Sequence, residues 1–465
     1  MIARKTLPAG PKESAAAQLL DWVFRPIPFL RDCAQRYGPC FTLRLPRNPP
    51  MVLFSAPEAV KEIFTGDPEQ LPAGETREIL RPLVGQHSLL LLDGARHQHH
   101  RRLMAPSFHG ERMRAYGQVM REMTDRNLDT WPTGRAFSLH TCMQEITLDV
   151  ILRTVFGMDE GPEQGRLRQG LAEFLTLAAN PLRLLPWFQR LIGFFTKGRQ
   201  LDDLLQEIDD LLYAQIARRR QQGGAGREDI LSLLVEARAE DGQPMSDEEL
   251  RDEMMTMLVA GHETTATSLA WTFHCILGRP EVMDKLRAEL QAVIGSGPVE
   301  SQHIAKLAYL DATIRESQRV YPILPLVGRL LHEPLQIGGQ DLPAGVGVAP
   351  CIYLAHHNPD IWPDPDTFDP DRFLAKRVSP YEFFPFGGGI RHCIGAAFAL
   401  YEMKIVLAQV LSRASLRAAS WRRVRLVRRG ITFAPSRGMP VVCDALAARG
   451  GAPQDFSAGL SASSA

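Results

Sequence analysis

Ten residues near the C-terminus, Phe386-Gly387-Gly388-Gly389-Ile390-Arg391-His392-Cys393-Ile394-Gly395, restrict this chain more than any other stretch. Three successive glycines permit backbone angles and close approaches that a side chain would forbid. A single cysteine follows, then Gly395 and the apolar, alanine-rich run from Ala396 to Leu400, which with Tyr401, Glu402 and Met403 reads as the start of a helix. A cysteine in that position meets unpaired N–H groups and the positive end of the helix dipole, and both favour a thiolate. Arg391, two residues earlier, adds positive charge suited to an anionic group beside the sulfur. The pattern asks for a soft metal held by one thiolate, with the backbone packed flat against something large.

A lone intracellular cysteine is usually an inert core residue, and three glycines are usually a loop. The spacing separates this segment from both. Phe386, Gly389, Arg391, Cys393 and Gly395 fill every fixed position of F-x-x-G-x-R-x-C-x-G, so the segment resembles the cysteine loop of the cytochrome P450 haem-thiolate monooxygenases. The resemblance implies that Cys393 is the axial ligand of the iron in haem (heme b, iron protoporphyrin IX). It also implies that Phe386 packs beside the ligand, that Arg391 binds a haem propionate, and that Gly395 belongs to the cofactor-binding set. Thiolate ligation in this family pushes electron density onto iron and favours O–O cleavage.

Composition sets wide bounds that agree with this. The length of 465 residues alone would suggest about three domains. No repeat, linker or long low-complexity tract divides the chain, so a single domain over residues 1–449 with a flexible, small and polar tail over 450–465 is expected. Lysine plus arginine equals aspartate plus glutamate at 53 each, which gives no global attraction to nucleic acid. Cysteines 33, 40, 142, 275, 351, 393 and 443 are odd in number, dispersed and without C-x-x-C spacing, as expected for a reducing compartment. Residues 18–30 are the best membrane candidate near the N-terminus. Asp21, Arg25, Pro26 and Pro28 interrupt them, and they fall short of the roughly 20 apolar residues a span needs. With no signal core in residues 1–11, a soluble, cytoplasmic protein is expected.

Along the chain, residues 29–37 read as a helix closed by Gly38-Pro39. Residues 40–45 and 51–54 read as a hairpin, and Ser55 reads as the N-cap of the next helix. Between Leu89 and Arg102 stand three histidines, His97, His99 and His100, which do not share one helical face and so argue against a metal cluster. His97 and Arg101, four apart, do share a face. The family has an H-x-x-x-R or W-x-x-x-R helix that holds a propionate, and by resemblance these two residues take that role. Arg96, His99, His100 and Arg102 read as a solvated face, with a docking patch for an acidic electron donor as the sharper hypothesis. Helical patterns cover residues 113–156, broken at Trp131-Pro132-Thr133-Gly134, and residues 167–220, broken by the apolar stretch 180–188. In the family that region lids the substrate channel, so Leu182, Leu185, Trp187 and Phe188 are candidates to meet substrate. Residues 221–227 read as a mobile polar loop.

Ser246-Asp247-Glu248-Glu249 reads as a capped helix start, and a helical pattern runs from Glu249 to Leu277. Inside it, Ala260-Gly261-His262-Glu263-Thr264-Thr265 lowers helix propensity at midspan. A buried threonine there can bond a carbonyl one turn back, and a hydroxyl beside a carboxylate suits proton delivery. The segment matches the family's [AG]-G-x-[DE]-T-[TS]. The resemblance implies that Thr264 hydrogen-bonds dioxygen, that Glu263 is the acid in its relay, and that Ala260 and Gly261 border the cofactor. His262 reads as packing or hydrogen-bonding rather than a second ligand. Glu316-Ser317-Gln318-Arg319 puts acid and base on one helix face. By resemblance this is the family's E-x-x-R, completed by Arg372 of Pro370-Asp371-Arg372-Phe373, a structural set that holds the cysteine loop. Tyr321-Pro322 ends that helix. By resemblance the extended run after it lines the pocket with Ile323, Leu324, Leu326 and Val327, Arg329 is a further propionate contact, and Thr432 belongs to a last pocket wall.

The implied fold is mainly α with small peripheral β-sheets. The implied reaction inserts one oxygen atom from O2, as co-substrate, into a C–H or double bond of a lipophilic molecule such as a fatty acid, terpenoid, steroid or polyketide-like macrolide. With no flavin or iron–sulfur domain in the chain, electrons are expected from a ferredoxin and its reductase or a flavodoxin-type donor. Haem-thiolate isomerases and peroxide users, and a non-enzymatic haem-binding or gas-sensing protein, are the alternatives.

Overall fold

The computed structural model describes residues 7–178, 197–223, 226–238, 242–295, 297–419 and 424–449. The apolar stretch 180–188 and the tail 450–465 lie outside them, as do residues 224 and 225 of the polar loop.

Helices dominate. Helix α1 (Ala15–Phe24) leads into the helix Pro26–Tyr37, which starts three residues earlier than its pattern suggests because Pro26 occupies its first turn. Gly38, at φ 84°, ends it. Strands β1 (Cys40–Leu43) and β2 (Met51–Phe54) then pair antiparallel, Cys40 opposite Phe54. Ser55 does not cap the following helix Pro57–Thr65. Ala56 holds the cap position, while the Ser55 hydroxyl donates to the Pro39 carbonyl at 3.3 Å. Two later strands complete the sheet: β3 (Arg329–Leu330) and β4 (Gly347–Pro350), in the order β1-β2-β4-β3. This small sheet sets Arg329 against the N-terminal segment, where the Leu330 N–H donates to the Pro72 carbonyl at 2.9 Å.

The remaining helices pack around one central rod. Helix α2 (Gly94–Met104) follows a turn over residues 88–92 closed on the Ser88 carbonyl. Helix α3 (Leu139–Thr154) lies against α4 (Asp247–Leu277), the rod itself. Ser246 and Glu249 close a capping box at its start. Helix α4 is buried almost all round from Leu250 to Leu258 and again from Thr265 to Ile276, as expected for a helix with no polar stripe. Helices α5 (Ala308–Val320) and α6 (Ala396–Arg413) pack on other sides of it. The C-terminal hairpin of β5 (Leu426–Arg429) and β6 (Thr432–Pro435) closes the molecule, and the Trp271 indole of α4 donates to the Phe433 carbonyl at 3.0 Å. Among the described residues, no helix is long and apolar enough to cross a membrane.

Residues 323–327 form no strand. Pro322 and Pro325 lack the N–H groups a ladder needs. The segment is instead tied at single points, with the Val327 N–H on the Pro350 carbonyl (3.2 Å) and the Phe433 N–H on the Ile323 carbonyl (2.8 Å).

Candidate haem-thiolate site

The cysteine loop is a tight backbone structure. The Cys393 N–H donates to the Phe386 carbonyl at 3.0 Å, and Gly387 and Gly389 sit at φ 68° and 64°. A β-carbon on Gly388 would lie 2.1 Å from the Phe64 ring, and one on Gly389 would lie 2.0 Å from the Phe64 carbonyl oxygen. The glycines are therefore required by the helix Pro57–Thr65 beneath them. Helix α6 starts at Ala396 with Gly395 as its N-cap, so Cys393 stands two residues ahead of the cap rather than in the first turn. Of the seven cysteines, Cys393 is the exposed one. The protein around it desolvates the sulfur and pushes its thiol pKa up, while the Gly395 N–H and the Arg101 charge pull the other way. The phenyl ring of Phe386 lies 6.4 Å from the His392 ring, within the same loop.

Around the loop gathers an excess of positive charge. The Arg391 guanidinium donates to the Leu89 and Leu92 carbonyls and pairs with Asp93. Asp93 also accepts the Ala73 and Gly74 N–H groups, each at 2.8 Å. Arg329, only 4% exposed, donates to the Gly328 carbonyl at 2.9 Å and reaches the Gly388 carbonyl at 3.5 Å. Burial, then the neighbouring Arg77 and Arg391 charges, push its pKa down to about 9. Arg77 is pushed down to about 10 by burial and by Arg391, and His97 to about 3 by burial, Arg391 and Arg101. Arg77 and Asp93 had no signal in the sequence that marked them. They reach the site from a short 3-10 turn and from the residue ahead of α2. Crowding three arginines and a neutral histidine around one carboxylate is unfavourable unless more negative charge joins them. A pair of propionates supplies it, so the donor set, the glycine cradle and the exposed thiol all fit haem.

The second half of the site is the gap in the burial of α4. Ala260 is exposed, and Gly261, Glu263 and Thr264 are partly so, amid residues that are almost all buried. The Thr264 hydroxyl donates to the Ala260 carbonyl at 2.5 Å, one turn back. Adjacent helix positions point about 100° apart, and Glu263 accordingly turns elsewhere. Its Oε2 accepts the Gln144 amide at 2.6 Å, and its Oε1 accepts Arg429 Nε at 3.0 Å and Thr267 Oγ1 at 3.4 Å. The hydroxyl and the carboxylate adjacent in sequence are thus separately engaged. Gln144 and Arg429 are partners that the sequence reading missed. His262 places Nε2 2.9 Å from the Gln144 carbonyl, facing α3, and burial pushes its pKa to about 4.

The histidines of α2 divide. His99 is partly exposed, and Arg96 and Arg102 are exposed. His100, read as part of a solvated face, is instead 2% exposed and sits between Glu253 (2.8 Å) and Glu249 (3.4 Å) of α4. Spacing explains the correction, because His97, His100 and Met104 form the buried side of the helix. Among the described residues, no group of three His, Cys, Asp or Glu side chains could hold a metal. Glu316 and Arg319 pair through two contacts of 2.7 Å with both side chains fully buried, while Arg372 Nε approaches Glu316 at 3.5 Å. Of the pocket candidates, Leu324 and Val327 pack partly against the core beneath the sheet, and Leu326 against the cluster of the helix Pro26–Tyr37 and its neighbours. Ile323 is partly exposed, and Thr432, 4% exposed, donates to the Arg429 carbonyl at 2.9 Å.

An exposed thiol on a glycine loop, a cationic ring and an uncovered stretch of the central helix in a mainly helical body define a haem-thiolate protein. The family model for cytochrome P450 matches residues 22–438, and the chain belongs to that family. It is 39% identical over 440 residues to cytochrome P450 135B1 of Mycobacterium bovis, covering 93% of this chain and 90% of the relative. Cytochrome P450 137 of Mycobacterium tuberculosis is 34% identical over 408 residues, covering 88% and 83%. The structure of the cyanobacterial CYP120A1 with retinoic acid bound superposes with a TM-score of 0.79 at 25% identity, covering 95% of this chain and all of that one. The family fixes haem as the cofactor and O2 as co-substrate.

Proposed function

We propose that this protein is a monooxygenase that places one oxygen atom from O2 into a C–H or double bond of a lipophilic small molecule. Its electrons come from a separate donor, a ferredoxin with its reductase or a flavodoxin-type protein. The observation that carries the reading is the single exposed thiol, Cys393, beside a ring of cations with too few acids. Haem, when bound, supplies the activation of dioxygen. Cys393 is its ligand, and Arg77, His97, Arg101, Arg329 and Arg391 hold its carboxylates. Phe386 and Gly395 would pack beside the thiolate ligand, and Ala260 and Gly261 would border the bound cofactor. Thr264 holds a proton at the substrate side of α4, and Glu263 resupplies it. Ile323, Leu324, Leu326, Val327 and Thr432 exclude water around the substrate. The retinoic acid bound by CYP120A1 supports a hydrophobic ligand of that size. The buried Glu316–Arg319 pair, with Arg372, fixes the segment that leads into the cysteine loop.

Replacing Cys393 by serine tests the core of this reading. The purified wild-type protein is expected to show the strongly red-shifted Soret band of a reduced carbonyl complex with a thiolate ligand, and Cys393→Ser is expected to lose it. Survival of that band in the variant would remove Cys393 as ligand.

A further inference from the structure

We infer that Arg429 anchors the carboxylate of an acidic lipophilic substrate, and that taking this ligand frees Glu263 from its ion pair; the inference rests on the monooxygenase reading above. Arg429 is the last residue of β5, and its tip is held from several sides. Thr432 donates to its carbonyl at 2.9 Å, the Phe433 N–H donates to the Ile323 carbonyl at 2.8 Å, and the Trp271 indole fixes the Phe433 carbonyl at 3.0 Å. The guanidinium therefore starts from a braced hairpin that also carries Thr432 and is tied to Ile323, two residues assigned above to the surroundings of the substrate. Such bracing limits the backbone freedom lost on binding.

The present partner leaves the guanidinium room for another. Its contact with Glu263 runs from Nε to Oε1 at 3.0 Å, while Glu263 Oε2 belongs to Gln144 at 2.6 Å. A guanidinium carries five N–H donors, and its strongest carboxylate geometry is a parallel two-point contact. The Arg429 side chain is 32% exposed and that of Glu263 14%, so the arginine is the more open member of the pair. The other groups that face Glu263 do not compete for an anion. Thr267 is uncharged, and His140, with Nε2 3.7 Å from Glu263 Oε1, is pushed down to about 3 by burial, then by Arg429 and His262. Arg429 is thus the one permanent cation on this side of α4 among the described residues that contact Glu263.

A carboxylate entering along the hairpin meets that cation and takes over its contact. Glu263 keeps Gln144 and Thr267 as hydrogen-bond partners after the exchange. Without the guanidinium, its Oε1 keeps only the Thr267 hydroxyl, and the carboxylate loses the charge that ties it to the hairpin. A neutral lipophile leaves the ion pair closed. Occupancy by the acidic substrate and release of the Glu263 ion pair are then one event, and the device selects acids over the corresponding alcohols and esters.

The test uses the haem-loaded full chain and three probes with one carbon skeleton: dodecanoic acid, dodecan-1-ol and methyl dodecanoate. Affinities are read by calorimetry and by the change in the haem spectrum. Wild type is expected to bind the acid about tenfold more tightly than the alcohol or ester, as one charge-assisted contact provides. Arg429→Gln is expected to lose that preference with alcohol affinity unchanged, and Arg429→Lys to keep part of it. Glu263→Gln, which removes the competing anion, is expected to hold the acid at least as tightly as wild type. A wild type without acid preference, an Arg429→Gln variant that keeps it, or a Glu263→Gln variant that loses it would overturn the inference. Calorimetry needs no haem signal, so a missing thiolate-haem spectrum would strike the monooxygenase reading and leave the anchor separately tested.

Discussion

Glu402 shows how much a single buried group can set. It lies 2% exposed in α6, nine residues after the cysteine, and its Oε1 has no hydrogen-bond partner. Burial pushes its pKa up to about 8, so the folded chain holds it as a neutral acid at pH 7. An unfolded glutamate titrates near 4.3, and unfolding in between releases a proton. Stability contributed by this site is therefore greatest at low pH and falls as pH rises from the unfolded value to about 8. The cost at pH 7 is on the order of 4 kcal/mol, at about 1.4 kcal/mol for each pH unit above the unfolded value. Glu402→Gln is expected to remove that slope and to raise denaturant stability at pH 7 by a comparable amount, while leaving stability at pH 4 nearly unchanged. Urea melts at a series of pH values measure this, and parallel pH profiles for the two proteins would refute it. Nothing in the run Ala399-Leu400-Tyr401-Glu402-Met403 marks that glutamate as buried. It looks like an ordinary helix surface position until α6 is seen packed on both α4 and α5.

At the scale of elements, the cysteine loop and the helix Pro57–Thr65 form one unit, although more than 300 residues separate them. Gly388 and Gly389 both touch Phe64, but at different atoms, the ring for Gly388 and the backbone carbonyl for Gly389. The difference is testable. Gly388→Ala is expected to lower haem occupancy severalfold, and adding Phe64→Ala is expected to restore it because the obstructing ring is gone. The same second change is expected to do nothing for Gly389→Ala, whose β-carbon meets backbone and whose φ of 64° strains any other residue. Haem-to-protein absorbance ratios of the four purified variants decide it, and rescue of both single variants would show that the loop moves as a whole. The need for glycines was legible in the sequence as a run of three. Which surface demanded them was not, because the contact is long-range. The hairpin, the capped α4 and the break near residues 131–134 were equally legible, since each depends on neighbours in sequence. Ser55 misled for the opposite reason, its local signal overridden by the distant Pro39 carbonyl.

For the whole molecule, the cationic ring of Arg77, Arg101, Arg329 and Arg391, with neutral His97 and the Cys393 thiol beside it, joins segments that the chain keeps far apart. Motif spacing exposed Cys393, Arg391, His97 and Arg101, and the run after α5 suggested Arg329. Arg77 lies in a 3-10 turn without a pattern of its own, so only the closed fold reveals it. Because the ring is strained by like charges, its members lose stabilisation together when a dianionic partner leaves. Binding of haem therefore stabilises the junction of N- and C-terminal parts as well as the pocket, by mass action on the folded state. If Arg77 holds a haem carboxylate as proposed, Arg77→Met relieves repulsion in the apo chain but removes one contact to the cofactor. It is expected to raise the thermal midpoint of the haem-free chain slightly while speeding haem transfer to apomyoglobin about tenfold, the effect of one charge-assisted hydrogen bond. Arg77→Lys, which keeps the charge, is expected to leave the haem-free midpoint where it was. If Arg77→Met instead destabilises the haem-free chain and leaves haem transfer unchanged, then Arg77 serves the Leu90 carbonyl it reaches at 3.4 Å, and the ring is smaller by one.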